Sequence, residues 1–215
     1  MYLAIEGVIG VGKTTLVRLL QPAFDANILL EVFEENPFLG DFYSDRTRYA
    51  FQTQIFFLLS RYQQQHKAVP VLLETGRHLI SDYTFDKDGL FAQINLQNDE
   101  LIMYRRVHEA LAEKIPAPDL VIYLRASVDM LMHRITLRDR PYERGMERSY
   151  IEALNRAYDD FFLSQRSSSS AVLIIDTESL DYVRHPGDLD WIENRIRQSI
   201  GLPPYQPELP LPDPN

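Results

Sequence analysis

A chain of 215 residues, 45% hydrophobic and 25% charged, has the balance of an ordinary globular protein and the size of a single α/β unit, which excludes a fibrous or disordered chain. Its 31 acidic and 22 basic side chains leave a net charge of −9, which argues against a broad nucleic-acid or anionic-membrane surface, and the absence of cysteine excludes disulfides and thiolate metal sites. No apolar run approaches the roughly 18 residues of a membrane span, and a strand starting at Tyr2 leaves no room for a signal segment, so the cytoplasm is the expected location.

The first apolar run, Tyr2 to Ile5, predicts a buried strand, and it leads into Gly7-Val8-Ile9-Gly10-Val11-Gly12-Lys13-Thr14, which fits the phosphate-loop pattern G-x-x-x-x-G-K-[ST]. The glycines let successive backbone N–H groups point at phosphate oxygens, and a helix opening at Lys13 adds its positive dipole end. Lys13 is expected at the β- and γ-phosphates and Thr14 at Mg²⁺. A Gly-rich turn with no ligand is the plain alternative, but the strand before and the run Leu16 to Leu20 after supply the context the motif needs.

Ile28 to Glu31 predicts a second strand ahead of the turn signal Asn36-Pro37, so Glu31 should emerge near the γ-phosphate as a group able to deprotonate a hydroxyl, or else be a surface acid beside Glu34 and Glu35. Apolar or aromatic residues at 51, 55, 58, 59 and 62 predict a helix over Tyr49 to Gln65. His78 to Asp82 predicts a third strand, whose terminal Asp82 can hold Mg²⁺ or its waters beside Thr14, cap the next element, or do both. Helical spacing recurs over Asp99 to Lys114, a fourth strand follows at Leu120 to Leu124, and Ser127 is placed to cap a helix running to about Leu137. Arg134 and Arg138 share a face of that helix and Arg140 stands at its exit before Pro141, a pattern that suits a lid closing on phosphate or a solvated face paired with Glu143 and Glu147. Tyr150 to Ser164 predicts another helix, Ser167 to Ser170 a loop and Ala171 to Asp176 the fifth strand. Residues 202–215 hold six of the thirteen prolines and form a separate extended tail, leaving one domain over 1–201. The alternation of strand and helix predicts a five-stranded parallel sheet flanked by helices, with ligands beyond the carboxyl ends of the strands.

Several of these segments, in this order, resemble the deoxynucleoside kinases, and within them the bacterial deoxyguanosine and deoxyadenosine kinase branch. The resemblance runs from about residue 2 to 182 and rests on Ile5-Glu6-Gly7 with the phosphate loop, Glu31-Val32-Phe33-Glu34-Glu35-Asn36-Pro37, Phe42-Tyr43, the run Tyr49 to Arg61, Ser81-Asp82-Tyr83, His133-Arg134-Ile135 and Arg138-Asp139-Arg140-Pro141-Tyr142-Glu143. It implies ATP-dependent phosphorylation of a deoxynucleoside 5′-hydroxyl in nucleotide salvage, with Mg²⁺, and a homodimer.

The resemblance implies residue roles as well. Glu31 matches the general base, although Asp82 remains open as the proton acceptor, while Tyr43 and Glu143 match the pair that holds the sugar 3′-hydroxyl. Gln54 matches the amide that reads the base edge, and Arg61 and Asp88 a charged pair against the base, with Tyr83 and Phe91 on the same substrate site. Residues 7–14 with Thr15, the lid arginines Arg134, Arg138 and Arg140, and the region from Asp176 through Asp181 and Tyr182 match the ATP site. One departure stands out, because most members carry acid-arginine-serine after the third strand and this chain has Asp82-Tyr83-Thr84, so Lys87 is expected to replace the missing positive charge. A carboxylate at Asp88 accepts from guanine N1–H and N2–H₂ or from an amino group and does not suit a thymine carbonyl, which ranks deoxyguanosine first, then deoxyadenosine, deoxycytidine and thymidine. A thymidylate-kinase-like monophosphate kinase is disfavoured because Glu31 would repel the acceptor's own phosphate. A non-catalytic phosphate-loop switch would not need the acceptor-pocket residues Tyr43, Gln54 and Glu143.

Overall fold

Strand β1 (Tyr2–Glu6) is buried along its whole length, as a central parallel strand must be when both sheet faces are covered. Helix α1 (Lys13–Leu20) returns across the sheet and buries Leu16, Val17 and Leu20. Strands β2 (Ala26–Leu29), β3 (His78–Ser81), β4 (Leu120–Arg125) and β5 (Ala171–Asp176) complete a five-stranded, all-parallel sheet in the order β2-β3-β1-β4-β5. This computed structural model describes residues 1–163 and 170–204. Most of the expected serine loop and all but the start of the proline-rich tail therefore lie outside the described residues.

The sheet agrees with the expected α/β class, with two strands ending earlier than their apolar runs. β2 stops at Leu29 because side chains take over the backbone beyond it: Gln64 Nε2 donates to Leu30 O at 2.8 Å, and Glu31 N donates to Asp82 Oδ1 at 2.8 Å. β3 likewise stops at Ser81, one residue short of Asp82. Both carboxylates thus stand beyond the sheet edge, where a ligand can reach them.

Between β2 and β3 the chain forms a 3₁₀ turn at Phe33–Glu35, the short helix α2 (Leu39–Ser44) and the long helix α3 (Arg46–Glu74). α3 starts on an Asp45 cap that accepts from Arg48 N and continues well past Gln65, through Pro70. The extension is held by Val69, which is fully buried in a second apolar cluster with Tyr2, Leu29, Leu79 and Tyr83. Helices α4 (Lys87–Asn95) and α5 (Asn98–Ala112) pack against α3 on that side, while α6 (Val128–Arg138) and α7 (Arg148–Leu163) follow β4. The Ser127 cap forms as expected, its hydroxyl accepting from Met130 N. A last helix, α8 (Pro186–Ser199), lies against β5. Among the described residues no helix is long and apolar enough to cross a membrane.

Candidate active site

The turn after β1 is shaped by glycine in a way no other residue could copy. Gly7 and Gly12 have φ of +147° and +106°, and a Cβ on Gly7 would meet the Leu124 carbonyl of β4, while one on Gly12 would collide with the Tyr182 hydroxyl. The loop therefore lies close to its neighbours, with Gly7 N donating to Glu6 Oε2 at 3.2 Å and Val11 N donating to Val8 O at 3.1 Å. Lys13 Nζ donates to Gly7 O at 2.6 Å and to Val8 O at 3.3 Å, curling back over the loop that it is expected to serve. Burial first, and the Lys87 ammonium second, lower the Lys13 amine to about 8.

Two cavities meet at this loop and share Gly10, Gly12, Thr15 and Arg138 in their walls. The first, of about 400 Å³, runs from Lys13, Thr14, Glu31 and Asp82 to a recess walled by Phe33, Tyr43, Gln54, Phe57, Arg61, Phe91 and Tyr142. The second, of about 630 Å³, lies between α6 and the segment after β5 and is walled by Val11, His133, Arg134, Leu137 and residues 178–184. The first combines charged and aromatic side chains, and the second has charged side chains on both α6 and the segment after β5.

At the junction, Thr14 Oγ1 donates to Asp82 Oδ2 at 2.5 Å, so a hydroxyl and a carboxylate oxygen stand side by side. Glu31 is enclosed by cations: Arg61 Nε donates to Oε1 at 2.9 Å, a second Arg61 nitrogen pairs with the same oxygen, and Lys87 Nζ donates to Oε2 at 2.5 Å. Burial alone would raise this carboxyl, but Arg61 and then Lys87 outweigh it and hold Glu31 well below the usual carboxylate range. Lys87 and Arg61 therefore share one carboxylate, each on its own oxygen.

Behind the loop, Glu6 is fully buried and accepts from Thr84 N at 2.5 Å and Thr84 Oγ1 at 2.9 Å. Burial raises its carboxyl, partly offset by Lys87 and Lys13. Glu6 has a place in the Ile5-Glu6-Gly7 resemblance but no role there, and here it fastens the end of β1 to the segment that carries Asp82 and Lys87. Its signal was available, since an acid at the end of an otherwise apolar central strand must have buried partners.

The arginines expected to form a lid are engaged with the wall of the first recess. Arg138 forks onto Glu143 through Nε at 2.7 Å and a terminal nitrogen at 2.5 Å, and Arg140 lies 3.7 Å from the same carboxylate and stacks on the Phe33 ring. Tyr142 stacks on Tyr43, whose phenol is pushed well up by burial and so stays a donor. Phe33, Phe57 and Tyr142 join this wall without having been assigned to it from sequence. Arg134 points the other way, donating to Thr177 Oγ1 and O and to Val11 O, and so ties the donor-side loop to the phosphate loop.

Several expected site residues stand elsewhere. Asp88 is fully buried behind Arg61, pairs with it, and is not part of the cavity wall, because α4 turns its carboxylate into the α3 contact. Tyr83 is also fully buried and donates to Gln64 Oε1, which makes it a packing residue against α3. Asp176 accepts from Glu178 N and closes a turn after β5, leaving Glu178, Asp181 and Tyr182 on the donor cavity. Gly7 and Val8 shape the loop from below and do not line either recess.

The sequence from residue 3 to 200 matches the family model described as deoxynucleoside kinase. The chain belongs to that family. It is 35% identical to a deoxyguanosine kinase of Bacillus subtilis over 93% of this chain and 97% of the relative, and 28% identical to a deoxyadenosine/deoxycytidine kinase of the same organism over 92% of each. A solved deoxyadenosine kinase from M. mycoides, described with the products dCMP and a flexible dCDP bound, superposes with a TM-score of 0.79 at 26% identity, covering 93% of this chain and all of that one. This kinase phosphorylates deoxynucleosides, and the phosphate-loop switch and the monophosphate kinase are set aside as readings.

Proposed function

We propose that this kinase transfers the γ-phosphoryl group of ATP to the 5′-hydroxyl of a purine deoxynucleoside, deoxyguanosine first and deoxyadenosine second. The observation that carries this reading is the position of Glu31, a carboxylate between two cations where an aromatic recess meets the phosphate loop. ATP lies with its phosphates on residues 9–15 and its base in the recess near Tyr182, and the nucleoside fills the aromatic recess. Thr14 and Asp82 supply the hard oxygen donors that suit Mg²⁺, which would neutralise phosphate charge there. One or two protein ligands are enough for this ion, in keeping with the lack of any cluster of three metal-binding side chains among the described residues.

The chain's own groups divide the work. Lys13 and the loop N–H groups hold the transferring phosphoryl, and Arg138 and Arg140 close on it by leaving Glu143. Tyr43 and Glu143 then hold the sugar 3′-hydroxyl, and Glu31 receives the 5′-hydroxyl proton. Asp82 is the weaker candidate for that step, because it stands beside Thr14, where its carboxylate suits the metal better than the hydroxyl. Loss of the proton occurs late in a loose transition state, so a carboxylate of low basicity can still serve as its acceptor.

With Asp88 behind Arg61, the base meets a guanidinium and the Gln54 amide. Donors aimed at the base edge suit guanine O6 and N7, in line with the 35% identity to a deoxyguanosine kinase, and deoxycytidine ranks third. Asp88 does not line the recess, so the contrast with thymidine does not rest on its carboxylate. A homodimer is the expected assembly, supported by the exposed Leu59 and Val71 on α3 and Ile102, Met103 and Val107 on α5. A coupled ATP assay with the four deoxynucleosides and their ribose counterparts tests the reading. Deoxyguanosine should have the highest kcat/KM, and turnover indifferent to any nucleoside would defeat the proposal.

A further inference from the structure

One guanidinium serves both ends of the acceptor recess. Arg61 turns Nε and one terminal nitrogen toward Glu31 Oε1 and its other terminal nitrogen toward Asp88. The group is planar, so both contacts lie in one plane, and a third acceptor in the recess must compete for the same donors. Asp88 is fully buried and lies outside the cavity wall, whereas Arg61 lines the recess together with Gln54 and Phe57. Lys87 meanwhile takes Glu31 Oε2 at 2.5 Å. A carboxylate with a cation on each oxygen has its best acceptor positions committed and is poorly placed to take a hydroxyl proton.

We propose that Arg61 is a positioning residue that makes the readiness of Glu31 depend on the nucleobase: a base carbonyl or ring nitrogen accepting from the Arg61 edge draws it off Glu31 Oε1 and leaves that oxygen for the 5′-hydroxyl. The inference rests on Glu31 as the proton acceptor. Asp88 makes the exchange feasible, because it stays paired with Arg61 throughout and no lone charge is left buried. Lys87 keeps Oε2, so the carboxylate holds its orientation while one oxygen is released. The base is then read in kcat, whereas binding energy spent equally on ground and transition states would change only KM.

The test compares kcat and KM for deoxyguanosine and for 1,2-dideoxyribose, the same sugar without a base, in the full chain and in the R61Q/D88N variant. The variant replaces both charges by amides of similar shape. In the unmodified enzyme, kcat should fall by about tenfold or more when the base is missing, within what a general base contributes. In the variant the two kcat values should come within about threefold of each other, since a ratio of kcat values isolates the step that the clamp controls. A residue that only supports the wall would slow both substrates alike and keep the ratio. An unchanged ratio in the folded variant, or equal kcat for the two substrates in the unmodified enzyme, overturns the inference. Should the double variant fail to fold, Asp88→Asn is measured alone. Arg61 then leans wholly on Glu31, so kcat for deoxyguanosine should drop with KM little changed, and an unchanged kcat refutes the coupling. Absence of transfer to every deoxynucleoside would instead refute the function proposed above, a result distinguishable from an enzyme that works with an unaltered ratio.

Discussion

Glu31 is held by two cations from two different helices, and each partner makes a separate claim that can be measured. Glu31→Gln keeps the shape and removes the proton acceptor, so kcat should fall by about 10²–10⁴ with the fold retained by circular dichroism. A full-rate variant would shift the role to Asp82. Lys87→Ala removes the charge proposed to stand in for the arginine missing from Asp82-Tyr83-Thr84, and the 2.5 Å contact to Glu31 Oε2 goes with it. We expect a loss of about 10²-fold in kcat, comparable with removal of one preorganised donor from a transition state, and a smaller change in the nucleoside KM. Steady-state kinetics on the two variants separate proton acceptance from charge stabilisation.

At the scale of elements, the phosphate loop shows how backbone conformation and packing act together. Gly12 combines a φ of +106° with contact against the Tyr182 hydroxyl, so Gly12→Ala meets both backbone strain and a collision with the loop after β5. The ATP KM should rise by about tenfold or more, which corresponds to about 1.4 kcal/mol, while nucleoside binding measured by calorimetry stays close to the unmodified value. An equal loss of nucleoside binding would show that the loop also orders the acceptor recess. This element was legible from sequence because its signal is local: eight consecutive residues between a strand and a helix. The edges of β2 and β3 were less so, since side chains from α3 and from Asp82, far away in sequence, decide where the backbone leaves the sheet. The far end of α3 was hidden for a similar reason, because Pro70 reads as a stop and only the burial of Val69 against β2 and β3 shows why the helix continues. Helices α2, α4 and α8 were not anticipated, and α8 had a readable start in Pro186 with Leu189, Ile192 and Ile196 following at helical spacing.

Over the whole molecule, the acceptor site is an ionic network that joins separate elements. Glu31 follows β2, Arg61 lies on α3, and Lys87 and Asp88 open α4, so two acids and two bases from three regions neutralise one another in a largely buried place. Sequence showed the individual residues, and the resemblance paired Arg61 with Asp88, but the link from Arg61 to Glu31 depends on how α3 crosses the end of β2. The network also holds the fold. Arg61→Met would leave Asp88, which has no exposed surface, without its ion-pair partner. Breaking a buried pair from one side costs about 3–5 kcal/mol, whereas replacing both partners with apolar groups is often close to neutral. Urea unfolding should therefore show a large loss for Arg61→Met and recovery of most of it in R61M/D88L, with an unchanged dependence on denaturant. Equal losses in the single and double variants would place the stabilising contact of Arg61 on Glu31 and leave Asp88 a spectator.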